Sequence, residues 1–158
     1  MNWSVACVPK EAKWNPQTVY ECQFSLPYGV AIAAYTKKLL FDSYTPQAMA
    51  REDVRDLMTR ISAKEDPNLP PWAARVNTTL RDGRNYSSEV LYVKGHPENP
   101  FTEQELVEKF KECVPYSAYK LSDGVVKSLI AVLINLEKVD DVVNKLILPL
   151  TPSKEAMD

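Results

Sequence analysis

A chain of 158 residues with 45% hydrophobic and 25% charged residues is long enough for one globular domain with its own core. Its net charge of -2 gives no support for binding to nucleic acids or to anionic membrane surfaces. No apolar run approaches the ~20 residues of a membrane span, and the first residues lack the order of a signal peptide, so we expect a cytoplasmic protein.

Residue types that commonly ligate metals or phosphate are scarce in this sequence. Three cysteines, Cys7, Cys22 and Cys113, are odd in number and far apart, which fits reduced, buried thiols better than a disulfide framework. With one histidine, no histidine-based metal cluster can form within a single chain, and none of the four glycines belongs to a phosphate-binding loop. We therefore expect neither a metal ion nor an organic cofactor.

Helix start signals are clear in the first half of the chain. Ser25 is a suitable cap and Pro27 suits a first helical turn, so we predict a helix over residues 27–41. The same cap-then-proline signal at residues 45–46 predicts a short helix. An apolar stripe at helical spacing then predicts a further helix over about residues 52–63.

A β-hairpin is predicted in the middle of the chain, after a proline-rich connector. Apolar and polar residues alternate with a period of two on both sides of Asp82-Gly83, a pair that tolerates the positive φ of a tight turn. The positions expected to face one side are Val76, Thr78, Leu80, Tyr86, Val90 and Tyr92. This pattern is typical of half-buried antiparallel strands.

The second half of the chain is predicted to be helical. Thr102 and Glu105 form a capping box at the start of one helix, and Ser122 caps the strongly apolar helix that follows. A last helical segment is predicted over residues 139–148. We expect a frayed tail over residues 149–158.

Helices on both sides of a strand pair in the sequence favour the α+β class. The simplest arrangement is a two-layer sandwich, in which helices pack on one face of a small antiparallel sheet. No shift in composition divides the chain. We therefore expect residues 1–158 to form a single domain, with its core over about residues 16–148.

No catalytic constellation can be assembled from the residues alone. Tyr28 lies beside a proline at a helix start, where a phenol could exchange a proton or bind a carboxylate, although a tyrosine among alanines is more often a core residue. His96 lies in a turn with no cysteine, serine or aspartate nearby, and we expect it to be structural. Asp140 and Asp141 are adjacent and would point apart on a helix, which favours a solvated face.

Three segments carry a resemblance to a known family: YECQFSLPYGVAIAA, VNTTLRDGRNYSSEV and KGHPENPFTEQELVEKF. The last one, a Gly-His-Pro-Glu-Asn-Pro corner followed by a helix, is the most specific. In order and spacing, the three segments resemble the C-terminal domain of the MmgE/PrpD family over about residues 16–147. That family includes 2-methylcitrate dehydratase and cis-aconitate decarboxylase.

The resemblance implies a function on polycarboxylates. Complete family members have a larger helical N-terminal domain and a smaller α/β C-terminal domain, and they bind substrates in the cleft between the two. They act as dehydratases, decarboxylases or isomerases by proton transfer next to a carboxylate, without a metal or organic cofactor. Tyr28 matches the tyrosine of the family's Phe-Ser-x-x-Tyr segment. The resemblance therefore implies that Tyr28 donates a proton or orients a substrate carboxylate, whereas His96 departs from the family's acidic residue and is implied to be structural.

Three hypotheses stay open. The chain is the C-terminal domain or subunit of such a lyase, inactive without a helical catalytic partner; or it is a non-catalytic interaction module that retains the fold. A small independent enzyme that uses Tyr28 and a lysine is the weakest hypothesis, because no second half of an acid–base pair is visible. For the first two, we expect a homo-oligomer or a complex with a helical subunit, with the alanine-rich helix around Tyr28 as the contact surface.

Overall fold

The computed structural model describes residues 6–151, which combine short helices with a small antiparallel sheet. This arrangement confirms the predicted α+β class. The chain divides into two units, Met1–Val93 and Lys94–Asp158. The expectation of a single domain over residues 1–158 stays a prediction. Within the described part of the chain, no helix is both long enough and apolar enough to cross a membrane.

Helices make up the first unit ahead of its hairpin. In chain order they are α1 (Lys10–Trp14), α2 (Val19–Gln23), α3 (Leu26–Thr36), α4 (Pro46–Met49) and α5 (Glu52–Thr59), with a 3-10 turn over Phe41–Tyr44 between α3 and α4. The core of the unit lies where α3 packs against α5. Its buried members are Cys22, Tyr28, Ala31, Ile32, Met49, Val54 and Met58.

Local hydrogen bonds set both ends of α3. The Ser25 Oγ accepts a hydrogen bond from the Tyr28 N–H at 3.1 Å, which confirms the predicted cap. The helix ends at Thr36, earlier than predicted, because Lys37 adopts a left-handed conformation with a φ of 60°. The Thr36 hydroxyl donates to the Lys38 carbonyl at 2.6 Å, and this bond favours the turn over a further turn of helix.

The predicted hairpin consists of β1 (Ala74–Thr79) and β2 (Asn85–Val90), paired in antiparallel register with Thr78 opposite Tyr86. Gly83 has a φ of 87°, as the predicted turn requires. Every residue of both strands is exposed, so the expected cover of helices over one face of this sheet is not seen. The period-two pattern therefore identified the strands correctly and overestimated their burial.

The polar face of the hairpin explains how the strands pair without burial. Because side chains alternate between faces, one side of the hairpin carries only polar residues, which lie opposite one another. Three pairs bond across the strands there: Arg75 with Glu89 at 2.6 Å, Ser87 with Asn77 at 2.8 Å, and Thr79 with Asn85 at 2.6 Å. These cross-strand contacts fix the register.

The second unit contains the two predicted helices, α6 (Glu103–Cys113) and α7 (Asp123–Ile134). The capping box is confirmed. The Glu105 N–H donates to the Thr102 Oγ1 at 3.2 Å, and the Thr102 N–H donates to the Glu105 carboxylate at 2.8 Å. The Ser122 Oγ accepts the first hydrogen bond at the start of α7, also as predicted.

The C-terminal segment is less regular than the predicted helix over residues 139–148. It consists of a 3-10 turn at Leu136–Lys138, a π-helical turn at Val143–Ile147 and a 3-10 turn at Leu148–Leu150. The carboxylate of Asp141 accepts a hydrogen bond from the Asn144 N–H at 2.9 Å. Asp141 therefore caps a helical turn that begins later than the predicted start at residue 139.

The Gly-His-Pro-Glu-Asn-Pro corner is closed by its own backbone. The Gly95 N–H donates to the Asn99 carbonyl at 2.9 Å, and the Asn99 N–H donates to the His96 carbonyl at 2.8 Å. Gly95 has a φ of 90°, and a Cβ at this position would lie 3.0 Å from the Phe101 ring. The corner therefore requires glycine both for its backbone conformation and for its contact with the following aromatic ring.

Gly95→Ala is expected to lower the free energy of unfolding by about 1–3 kcal/mol, as measured by urea denaturation. In a Phe101→Leu background the same substitution should cost less, because only the strain of the positive φ remains. Gly83→Ala is the matched control, since its φ of 87° is similar but a Cβ there would meet open space. Equal costs for Gly95→Ala in both backgrounds would contradict the contact with Phe101.

Candidate functional site

Tyr28, the residue to which the family resemblance points, lies in the core of the first unit. Helix α3 carries its ring into the cluster formed with α5, where the residue is 0% exposed. Its hydroxyl donates a hydrogen bond to the backbone carbonyl of Ser43. The ring of Tyr44 lies beside it, with the ring centroids 6.1 Å apart. The Tyr28 phenol therefore ties α3 to the 3-10 turn that follows it.

Burial makes this phenol a weaker acid than usual. Loss of hydration raises the pKa of Tyr28 to about 12, with a smaller contribution in the same direction from Cys22 and an opposing one from Arg55. At neutral pH the hydroxyl keeps its proton and acts as a hydrogen-bond donor. Proton transfer from Tyr28 to a substrate stays a prediction.

The alanine-rich helix is not the exposed surface that the sequence predicted. Ala31 and Ile32 are buried together with Tyr28, because their side of α3 packs within the first unit. Ala34 and Tyr35 of the same helix are exposed. The small residues on the inner side thus allow α3 to pack closely against its own unit.

Ser43 also lines a pocket of about 270 Å³. The pocket lies between the second half of α3, the loop after it and the residues that lead into α5. Its lining residues are Ile32, Thr36, Lys38, Leu40, Asp42, Ser43, Ala48 and Arg51. Tyr28 does not belong to this lining. Its hydroxyl instead holds the backbone of one pocket wall in place, through the bond to the Ser43 carbonyl.

The pocket carries charges of both signs, from the cations Lys38 and Arg51 and the carboxylate Asp42. Arg51 donates from Nε and Nη2 to the two carboxylate oxygens of Asp53, at 3.0 and 2.6 Å. These hydrogen bonds raise the pKa of Arg51 and lower the pKa of Asp53, so both groups stay charged at neutral pH. With Asp42 in the lining and Asp53 bonded to Arg51, the positive and negative charges at the pocket balance.

The other residues considered from the sequence have structural contacts in the second unit. His96 accepts, through Nδ1, a hydrogen bond at 3.1 Å from the backbone N–H two residues later. Asp140 forms an ion pair with Lys145, and Asp141 accepts two hydrogen bonds from Asn144. Among the residues that the structure describes, no group of three or more histidine, cysteine, aspartate or glutamate side chains could hold a metal ion.

Sequence reasoning missed the pocket and its two cations. An arginine and an aspartate lie two residues apart at three places in the sequence, and two of these pairs, Arg51-Asp53 and Asp82-Arg84, form ion pairs. Which of the two lies beside a pocket depends on how the loop after α3 folds back. The sequence signal for that loop is weak, because its left-handed residue is Lys37 rather than glycine.

Residues 4–131 match the sequence model of the MmgE/PrpD C-terminal domain. The chain belongs to the MmgE/PrpD family. It is 25% identical over 130 residues to cis-aconitate decarboxylase of Mus musculus and 26% identical over 130 residues to that of Homo sapiens. Each alignment covers 80% of this chain and 26% of the relative, so the chain spans about a quarter of the length of these curated relatives.

The match confirms the family predicted from the three sequence segments. The match begins at residue 4, before the resemblance over about residues 16–147, and it ends at residue 131 within α7. The hairpin, the corner and the start of α3 all lie inside it. So does the whole pocket lining, from Ile32 to Arg51.

Alkaline titration tests the burial of the phenol. Burial raises the pKa of Tyr28 to about 12 and also raises that of Tyr44. The hydrogen-bonded Tyr28 phenol therefore contributes stability that is complete below about pH 10 and is lost as the pH rises towards about 12. We expect phenolate absorbance to show a delayed ionisation step that Tyr28→Phe reduces and Tyr20→Phe, which removes an exposed hydroxyl, leaves unchanged. A delayed ionisation step of equal size in Tyr28→Phe and Tyr20→Phe would contradict the assignment of this step to Tyr28.

Proposed function

We propose that this chain forms the C-terminal part of an MmgE/PrpD-type lyase that acts on polycarboxylates. The observation that carries the proposal is its similarity, over 80% of its length, to two proteins named cis-aconitate decarboxylase. Two reactions come into question: decarboxylation of cis-aconitate, and dehydration of 2-methylcitrate in propionate metabolism. Each requires a proton to move at a carbon near a carboxylate. The proposal covers this shared chemistry.

The pocket beside Ser43 supports a carboxylate ligand. The Arg51 guanidinium supplies a positive charge, and the apolar side chains of Ile32 and Leu40 offer a surface for a short carbon chain. Negative charge that develops next to a substrate carboxylate is stabilised by cations that are already in place. This is the chemistry that a lyase of this kind needs from its binding site.

We propose that the remaining catalytic groups come from a helical polypeptide of the family's N-terminal type. The curated relatives extend far beyond the aligned region, which is 26% of their length. Within this proposal, Tyr28 holds the pocket wall in the isolated chain. In the assembled enzyme its hydroxyl exchanges the Ser43 carbonyl for the substrate, to which it donates a proton or a hydrogen bond.

A non-catalytic interaction module is the second candidate function. One observation favours it: the Tyr28 phenol is buried and already bonded to Ser43. The C-terminal turns also expose large apolar side chains, among them Val143, Ile147 and Leu148, which are 59%, 49% and 52% exposed. Exposed apolar groups of this kind are usually covered by association.

We propose that the chain associates in the cytoplasm, with copies of itself or with the helical polypeptide. Light scattering at high protein concentration should give a mass above the 17.9 kDa of one chain. Ile147→Ser should weaken the association, because it removes exposed apolar surface, whereas Lys138→Ser should not. A monodisperse monomer under all conditions, with and without the helical polypeptide, would contradict association.

The lyase proposal is tested by following the ultraviolet absorbance of cis-aconitate and the dehydration of 2-methylcitrate. We expect no turnover with the chain alone and clear turnover after a helical N-terminal polypeptide of the family is added. Tyr28→Phe should abolish turnover in the mixture, whereas Tyr20→Phe should retain it. Urea denaturation of Tyr28→Phe should show a loss of about 1–3 kcal/mol, since the Ser43 carbonyl loses its donor.

The outcomes separate the two candidate functions. Turnover that appears only in the mixture and disappears with Tyr28→Phe, while the variant still folds and binds the partner, supports a lyase with Tyr28 at the substrate. Binding of the helical polypeptide without turnover of either substrate would overturn the lyase proposal in favour of an interaction module. Turnover that survives Tyr28→Phe would leave the lyase proposal in place and remove Tyr28 from its mechanism.

A further inference from the structure

The turn of the hairpin contains the pair Asp82-Gly83, in which a backbone amide lies next to a side-chain carboxyl group. Such a pair can undergo a spontaneous reaction within the chain. The nitrogen of the glycine attacks the Cγ of the aspartate, and the new bond closes a five-membered succinimide ring. Glycine favours this attack because it has no Cβ to hinder the close approach of its backbone.

Water is the only other reactant that this chemistry needs. When the Gly83 nitrogen bonds to the Asp82 Cγ, the amide hydrogen and the carboxyl hydroxyl leave together as one water molecule. Water then opens the ring, which it can reach because the Asp82 side chain is 51% exposed. Cleavage of the Cγ–N bond restores aspartate. Cleavage of the bond from the nitrogen to the main-chain carbonyl carbon gives isoaspartate, in which the chain runs through the former side chain.

The folded turn restrains the attacking nitrogen. The Gly83 N–H donates to the Leu80 carbonyl at 3.0 Å, which closes a β-turn, and the Leu80 N–H donates to the Arg84 carbonyl at 2.8 Å. The φ of 87° at Gly83 is part of the same geometry. Attack on the Asp82 side chain requires the peptide group between Asp82 and Gly83 to rotate, and these hydrogen bonds oppose that rotation.

Arg84 restrains the carboxyl group that the nitrogen would attack. The backbone N–H of Arg84 donates to the Asp82 Oδ1 at 3.0 Å, and the Arg84 Nε and Nη2 each lie 2.8 Å from Oδ2. An aspartate that bonds the backbone two residues later is common in turns. Here the arginine side chain adds a second restraint, so both carboxylate oxygens are tied to the residue that follows Gly83.

The contacts with Arg84 also keep the carboxyl group in its unreactive form. Hydrogen bonds from the Arg84 side chain and from its backbone N–H lower the pKa of Asp82. A carboxylic acid can release its hydroxyl group as part of a water molecule, whereas a carboxylate has no such leaving group. The fraction of reactive acid at neutral pH is therefore smaller while Arg84 is bound.

A second pair of the same sequence, Asp123-Gly124, provides an internal comparison. It opens helix α7, with Asp123 as the first residue of the helix. The Ser122 Oγ before this pair accepts a hydrogen bond at 3.3 Å from the Val125 N–H after it, so the helix cap restrains the backbone on both sides. Loss of Arg84 should therefore change the reaction in the hairpin turn and leave this second pair unaffected.

We propose that Asp82 is a site of isoaspartate formation in this protein, and that Arg84 protects it as a positioning residue through its contacts with the carboxylate. Isoaspartate at this position lengthens the backbone of the turn by one atom. The extra atom lies between Leu80 and Arg84, whose backbone hydrogen bond closes the hairpin. The modification therefore disturbs the pairing of β1 and β2 from their closed end.

Peptide mapping of the full chain after prolonged incubation at neutral pH tests the proposal. Chromatography separates isoaspartate and aspartate peptides, and mass spectrometry confirms that their masses are equal. Isoaspartate at Asp82 should form about tenfold or more faster in guanidinium chloride than in the folded chain. In the folded chain, Arg84→Gln should accelerate its formation about two- to fivefold, the range expected for an exposed ion pair. Arg84→Lys should accelerate it less, because the charge remains.

Arg75→Gln is the matched control, because it removes another arginine of the hairpin, one that pairs with Glu89 instead of Asp82. It should accelerate the reaction at Asp82 less than Arg84→Gln does. Amide hydrogen exchange at Gly83 measures the opening of the turn in each variant. Arg84→Gln should accelerate isoaspartate formation by a larger factor than it accelerates this exchange, a difference that a purely structural role of the arginine would not produce.

Three results would overturn the proposal. The first is that no isoaspartate forms at Asp82 even in the unfolded chain. The second is an equal rate at Asp82 in the folded unmodified chain and in folded Arg84→Gln. The third is an equal acceleration by Arg75→Gln and Arg84→Gln, since opening of the hairpin alone would then explain the effect. The rate at Asp123 should be the same in all folded variants, and a parallel rise there would point to general unfolding and also contradict the role of Arg84.

Discussion

The hydrogen bond from the Tyr28 hydroxyl to the Ser43 carbonyl links the core of the first unit to the wall of its pocket. The donor lies on the inner side of α3, and the acceptor lies in the 3-10 turn that brings the chain back across that helix. A buried carbonyl needs a donor, and here the donor belongs to a side chain that also fills the core. Packing of α3 and the shape of the neighbouring pocket are thus coupled through a single phenol.

This coupling brings the two interpretations of Tyr28 together. A tyrosine among alanines at a helix start is most simply a core residue, and the structure shows it in the core. The family resemblance implies a chemical role for the same residue, and that role stays a prediction. Both statements hold if the phenol first shapes the pocket wall and meets the substrate only in the assembled enzyme.

Local signals were predictable from the sequence, and the site was not. Ser25 and the Thr102–Glu105 capping box each act within one helical turn, so residue types alone specify them. The end of α3 depends on a left-handed lysine, which no residue preference indicates, and the pocket exists only because the chain turns back there. Burial of the hairpin was overestimated for a related reason: alternation shows which residues share a face, but it does not show what lies against that face.

The polar face of the hairpin has a consequence for partly unfolded states of the protein. Its register is held by bonds between strands, such as Arg75 with Glu89, rather than by burial. Where the strands stay paired while the core of the first unit loosens, they present two unpaired edges and the face that carries Val76, Tyr86 and Val90. Such a ribbon is a template for strand addition between molecules. Salt screens the Arg75–Glu89 pair and so weakens one of the contacts that hold this ribbon in register.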